Sequence, residues 1–98
     1  MMYTISAHIN ENGEGAFTLE MKDKPVGQIK VDLDGSELKL LDTVVKVNKS
    51  LHLVGNLLLQ GVVEYARMHE LKIITLSKFT QEQFSSNPSL YADVWEKA

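Results

Sequence analysis

LKLLDTVVKVNKSLHLVGNLLLQGVVEYARMHELKIITL, residues 38–76, is the stretch whose reading decides the fold. Its apolar period changes partway. Leu40, Leu41, Val44 and Val45 end a β-type run that begins at Glu37 and continues to Val47. Leu53, Val54, Leu57, Leu58, Gly61, Val62, Tyr65 and Ala66 then recur at helical spacing. Ser50 or Asn48 is placed to cap that helix, because a short oxygen-bearing side chain accepts from the free N–H groups of the first turn. Gly61 inside it costs about 1 kcal/mol relative to Ala and lets the helix lie close on a sheet. Arg67 and His69 fall near its C-terminus, where positive charge is favourable. Leu71–Leu76 is short, β-branched and apolar on both sides, as a strand buried on both faces is. Strand, helix and strand in this order predict a right-handed parallel crossover. The turn and first helical turn, residues 48–56, form the natural ligand site of such a unit.

Upstream, the chain alternates. Tyr3–Ile9 reads as a short strand, and Asn10–Gly15 as a turn built on Asn12-Gly13, both residue types tolerant of positive φ. Ala16–Met21 and Val26–Leu33 are strands joined by the turn Lys22–Pro25, and Asp34-Gly35 marks the next hairpin. Short connections make an antiparallel meander the economical arrangement. Downstream, Thr80-Gln81-Glu82-Gln83 fits a capping box that starts a short helix. Asn87-Pro88 starts another, Ser89–Lys97, carrying Leu90, Tyr91, Val94 and Trp95. The expected class is α+β: a mostly antiparallel mixed sheet, one long crossover helix, one late strand and a short helical tail, in a single domain over residues 1–98.

Composition narrows the function. The 98 residues carry a net charge of −3, and the pI is about 5.5. No basic stripe supplies the long-range attraction that nucleic-acid binding needs. Cysteine is absent, which excludes disulfides, thiolate metal sites and a cysteine nucleophile. Residues 51–66 are too short and too polar to span a membrane. A cytoplasmic protein with no nucleic-acid or membrane partner is the expectation. His8, His52 and His69 have no metal-ligand spacing, so no metal site is expected. His52 reads either as an exposed polar residue or as a donor to an anion at the helix N-terminus.

Several separated motifs in this register resemble the GNAT superfamily of acyl-CoA-dependent N-acetyltransferases, in particular its small single-domain members. They are Asp42-Thr43-Val44-Val45, Leu58-Leu59, Val62-Val63-Glu64-Tyr65-Ala66-Arg67, Leu71-Lys72-Ile73-Ile74, Phe79, and Pro88-Ser89-Leu90-Tyr91-Ala92-Asp93. The resemblance runs from about Gly15 to the C-terminus. It implies acetyl-CoA as cosubstrate between two splayed parallel strands. The strand backbone at Val44 and Val45 would bond the pantetheine arm. The helix start at Ser50, His52, Val54, Gly55 and Asn56 would meet the pyrophosphate, with Phe79 alongside. The acceptor implied is an unidentified small-molecule or peptide amine.

The chain departs from the family where the chemistry sits. Of the family's turn glycines only Gly55 is matched; Leu53 stands at the earlier one and Ser50 at the basic or amide position. A cofactor site there requires Leu51 and Leu53 to turn inward to the core. The family's His and Cys correspond to Asp42 and Ser77. A serine hydroxyl without a strong adjacent base is a weak nucleophile, so a covalent acetyl-enzyme is not expected here and direct attack by the amine is the scheme left open. In that scheme Asp42 accepts a proton, and Ser77 or Tyr91 donates to the departing thiolate. The competing readings are a polar strand-end residue for Asp42, a cap for Ser77, and tail packing with Phe84 and Trp95 for Tyr91. For the whole chain, the alternative is a catalytically degenerate GNAT-fold binding or interaction module.

Overall fold

The computed structural model describes residues 2–46 and 49–96. Five strands, β1 (Thr4–Ile9), β2 (Glu14–Met21), β3 (Lys24–Asp34), β4 (Glu37–Val45) and β5 (Lys72–Thr75), form one sheet in the order β1-β2-β3-β4-β5. The first three pairings are antiparallel and β4–β5 is parallel. Helix α1 (Leu51–Met68) makes the crossover, and α2 (Lys78–Ser86) and α3 (Pro88–Tyr91) follow β5. This is the mixed α+β architecture that the change of period predicts.

Alternation along the strands puts Phe17, Leu19, Ile29, Val31, Leu38, Leu40 and Ile73 on one face, all buried. Helix α1 closes that face with Val54, Leu58, Leu59, Val62, Val63 and Ala66. Burying each of the valine, leucine, isoleucine and phenylalanine side chains is worth about 1.5–3 kcal/mol. Two contacts fix the height of the helix. A Cβ on Gly27 would meet Val54 at 2.7 Å, and one on Gly61 would meet Ile5 at 3.0 Å, so Gly61 does let α1 sit close.

The turns differ from expectation in informative ways. In the first, Gly13 alone has a positive φ, 88°. Asn10 organises the loop instead, its Oδ1 accepting from the N–H groups of Asn12 and Glu14 at 2.9 and 3.0 Å. In the second, Lys22 and Asp23 are left-handed (φ 52° and 64°) and make the two-residue turn by themselves. Pro25 therefore lies within β3. It is tolerated because β3 bulges there, with Leu19 opposite Gly27 but Glu20 opposite Pro25.

The helical boundaries also shift. Helix α2 begins earlier than the Thr80 box: Ser77 is its N-cap, and Thr80 lies inside it, buried. The tail is helical only over Pro88–Tyr91, and Asn87 makes no side-chain capping bond. The chain then straightens so that Ile73 N–H donates to Val94 O (2.6 Å) and Glu96 N–H to Ile73 O (2.9 Å). Free backbone groups on the outer edge of β5 outcompete helix propensity here. The alternative cap Asn48, the strand end Val47 and the tail end Lys97 lie outside the described residues.

Arg67 and Asp93, 26 positions apart, clasp this tail. Arg67 Nε donates to Asp93 Oδ2 at 2.8 Å, and its Nη2 donates to Asp93 Oδ1 (3.1 Å) and Leu90 O (3.0 Å). Lys72 Nζ donates to Asp93 O at 2.7 Å. Phe84 stacks on Tyr91 (4.2 Å between centroids) and meets Trp95 edge-on at 5.5 Å. No helix among the described residues is long and apolar enough to cross a membrane.

Candidate functional site

The parallel pairing of β4 and β5 is short. It runs from Glu37 opposite Lys72 to Leu40 opposite Thr75, and the last bond is Leu76 N–H to Leu40 O at 3.0 Å. Two local features then part the strands. Strand β4 bulges: Ile29 faces Thr43 while Val31 faces Leu40, so β4 carries one extra residue at Leu41-Asp42. A bulge bends and twists the strand that holds it. On the other side, Ser77 caps α2 and turns the chain out of the sheet.

Beyond the bulge, Leu41–Val45 has β3 on one side and, among the described residues, no strand on the other. Lys46 N–H donates to Val26 O at 3.0 Å. Backbone groups alternate sides along a strand, so Thr43 and Val45 present their N–H and C=O to the open side. Val44, between them, faces β3 through its backbone and is 52% exposed through its side chain. A groove of about 200 Å³ is lined by Pro25, Val26, Gln28, Val44, Val45 and Lys46, among others. None of its lining residues comes from β5 or α1, so it is separate from the β4–β5 gap.

Helix α1 starts at the end of this free edge. Ser50 Oγ accepts from Leu53 N–H at 3.2 Å, and Ser50 O accepts from Val54 N–H at 3.0 Å. The N–H groups of Leu51 and His52 are left for solvent or a ligand, and no acidic side chain occupies the first turn. A helix start of this kind favours an anion. Leu51 and Leu53 do not turn into the core: they are 45% and 51% exposed. The inward arrangement that a cofactor turn required is therefore not adopted. His52 is exposed, Asn56 half-buried and Val54 buried in the core.

Gly55 has a different task from that of the matched family glycine. It is buried, and the ring of Phe79 occupies the place a Cβ would take. Its missing side chain admits Phe79, which pins the start of α2 against the first turns of α1. Gly55 and Phe79 are thus brought together, and through α2 Ser77 comes with them.

The proposed proton-transfer residues are less concentrated. Asp42 is exposed at the β4 bulge. Ser77 Oγ is engaged with Thr80, at 2.8 Å from Thr80 Oγ1 and 3.3 Å from Thr80 N–H. Tyr91 is half-buried with its ring flat on Phe84. Tail packing for Tyr91 and capping for Ser77, the competing readings, both describe observed contacts. Among the described residues no group of three or more His, Cys, Asp or Glu could hold a metal ion.

Thr43 is a residue that sequence reasoning passed over. Its Oγ1 is the one buried side-chain polar atom among the described residues with no hydrogen-bond partner. The sequence places Thr43 in the motif Asp42-Thr43-Val44-Val45 but gives no sign that its hydroxyl is buried without a partner, which depends on its surroundings.

Three groups near the tail are shifted from their ordinary ionisation. The hydrogen bond from Arg67, and then its charge, hold the Asp93 carboxyl below the usual carboxylate value, and Arg67 is raised in turn, chiefly by its hydrogen bond to Asp93. Glu37 is raised, first by a hydrogen bond to Glu96 and then by its charge.

Among solved structures, the chain is similar to an NMR solution structure described as a "GCN5-like putative N-acetyltransferase" from Staphylococcus aureus. The two share 28% sequence identity over 95% of this chain and 89% of that one, with a TM-score of 0.68. No protein-family model and no curated protein matches the chain. The fold is GNAT-like.

Proposed function

We propose that the protein is a small acetyl-CoA-dependent N-acetyltransferase that moves an acetyl group to an amine. The observation that carries this reading is the open edge of β4 from Leu41 to Val45, ending at a helix start with free N–H groups. An extended amide chain such as pantetheine matches a free strand edge. A pyrophosphate would meet the N–H groups of Leu51 and His52 without the inward turn of Leu51 and Leu53, whose side chains stand in solvent beside it. The similar Staphylococcus aureus structure supports the same chemistry.

The chain's own residues would act as follows. The amine nitrogen attacks the thioester carbonyl, a C–N bond forms and the C–S bond breaks. Asp42, exposed at the bulge, takes the ammonium proton. A positioned base of this kind contributes on the order of 10²- to 10⁴-fold. With Ser77 already bonded to Thr80, solvent or the Tyr91 hydroxyl supplies the proton to the thiolate. Calorimetric titration with acetyl-CoA tests the reading: saturable heat is expected, and none at millimolar ligand overturns it.

One observation favours a second reading, a degenerate GNAT-fold binding or interaction module. The position matched to the family cysteine is Ser77, and its hydroxyl serves the cap of α2. Turnover of acetyl-CoA with any primary amine, abolished by Asp42→Ala, would rule this reading out.

A further inference from the structure

The sheet has two outer edges, and the chain treats them differently. The edge of β5 is closed by residues 94–96, through the bonds of Ile73 with Val94 and Glu96. The edge of β1 is open. Strand β1 pairs with β2 alone, and among the described residues no backbone group bonds its other side. Alternation says which groups face out. Asn10 N–H donates to Glu14 O at 2.9 Å, so in the register from Thr4 opposite Glu20 to His8 opposite Ala16 the even residues bond β2. Ile5, Ala7 and Ile9 therefore present their N–H and C=O outward. Such an edge is normally guarded by a lysine, a proline, a bulge or a covering segment. Thr4–Ile9 carries no proline and no Lys, Arg, Asp or Glu, and its pairing with β2 is regular throughout. Beside it, on the helix side, lies a groove of about 360 Å³ lined by Tyr3, Ile5, Ala7, Leu57, Gly61 and Met68, among others. Tyr3 is 42% and Met68 79% exposed.

We propose that β1 is the interface of a homodimer, in which two copies pair this strand antiparallel about a two-fold axis at Ser6 and join their sheets edge to edge. The occupant is a second copy because the edge is complementary to itself. Only outward-facing residues can share a hydrogen-bonded pair. With Ser6 on the axis, each Ile5 meets the partner's Ala7, and Tyr3 falls opposite the partner's Ile9. On the helix side a large side chain is thereby set against a small one, and apolar against apolar. On the outer face Thr4 falls opposite the partner's His8 and Ser6 opposite the partner's Ser6, so no like charges meet. A single strand pair falls short of the ~1,200 Å² at which specific stable interfaces begin. The apolar groove walls at Tyr3 and Met68 extend it, and the expected dimer is weak and concentration-dependent. The inference is independent of the acetyl-CoA reading, and the open half of β4, beyond β2 and β3, stays free in the dimer.

The chain has no cysteine, so a single introduced thiol reports on the axis. At the non-hydrogen-bonded pair formed by Ser6 the two Cα atoms lie about 4.5 Å apart, within disulfide reach. Ser6→Cys is expected to give a covalent dimer under mild oxidation. Lys30→Cys, on the same face but on β3, is expected to stay monomeric. Sedimentation equilibrium of the wild-type chain is expected to show a monomer–dimer equilibrium. Ala7→Pro removes one outward N–H from each copy without touching a bond to β2. It should weaken association about tenfold or more while keeping the far-UV circular dichroism of the wild type. Ala7→Lys keeps the N–H but sets a charge against the partner's Ile5, and should also weaken association, so the test holds even where Ala7→Pro does not fold. A wild type that stays monomeric at about 1 mM, where even millimolar affinity would show, leaves the edge to a strand of another protein and overturns the proposal. A dimer unaffected by either Ala7 variant overturns it, as does Ser6→Cys crosslinking no faster than Lys30→Cys.

Discussion

The two halves of β4 solve opposite problems. Glu37–Leu40 is paired on both sides, with Leu38 and Leu40 fully buried between β3, β5 and α1. Leu41–Val45 is paired on one side and leaves Val44 half exposed. Around the first half, even the outer edge of β5 is closed by residues 94–96, and the Thr75 carbonyl accepts from Gln81 Nε2 at 3.1 Å. Around the second, Leu51, Leu53 and Leu76 (52% exposed) leave apolar surface in water, and a buried hydroxyl has no partner. The closed half supplies stability. The open half leaves backbone hydrogen-bonding groups that folding does not use.

This contrast can be broken at its strong end first. Ile73→Ala removes a fully buried side chain of the closed half and is expected to cost about 2–5 kcal/mol in denaturant unfolding. A loss below ~1 kcal/mol would mean that the β5 side is not the stabilising half.

Gly55→Ala comes next, at the border of the halves. The added Cβ collides with the Phe79 ring, and overpacking of this kind costs about 1–3 kcal/mol. Shortening the ring in Gly55→Ala/Phe79→Leu should recover part of the loss. Strict additivity in that cycle would show that Phe79 is not what requires the glycine.

The tail clasp offers a pH test with two signs. Asp93 is depressed from an ordinary 3.8 by Arg67, so its contribution is complete above that value and is lost as pH falls through its folded value. Asp93→Asn should lower the unfolding temperature at neutral pH, with the gap to wild type closing in acid. Glu37 is raised from 4.5 by Glu96. Its contribution is complete below 4.5 and is lost as pH rises through the raised value. Glu96→Gln should therefore unfold at a higher temperature than wild type at neutral pH, and the gain should vanish below pH 4.5. The two pH profiles running in the same direction would contradict the assignment. Both pairs are exposed, so the shifts are small and shrink with salt.

The smallest effect is expected in the open half. Val44→Ala should change stability by less than about 0.5 kcal/mol, and a larger cost would show that this edge is a structural surface.

Much of the scaffold was legible because it depends on local periodicity. Alternation placed the strands, helical spacing placed α1, and two-residue turn chemistry placed the hairpin at Gly35 (φ 62°). Ser50 was recognisable as a cap because capping is a three-residue affair. The start of α2 was misplaced because Ser77 and Thr80 both carry capping hydroxyls. Ser77 won by joining the helix directly to the end of β5.

The site was legible only in outline. Asp42, Val44, Val45 and the helix start do lie around one open edge, since chain order alone brings the end of β4 to the start of α1. What each residue does there depends on neighbours distant in sequence. Gly55 serves the Phe79 ring 24 positions later, and the motif residues Arg67 and Asp93 serve each other across 26 positions. By itself, then, the sequence determined a sheet and its crossover helix, because period, turn residues and element order are properties of neighbouring residues. The tertiary structure alone decided where β4 and β5 part, which glycine is packing and which hydroxyl is left over. Each of those depends on what a partner strand or helix does, or fails to do, at that position.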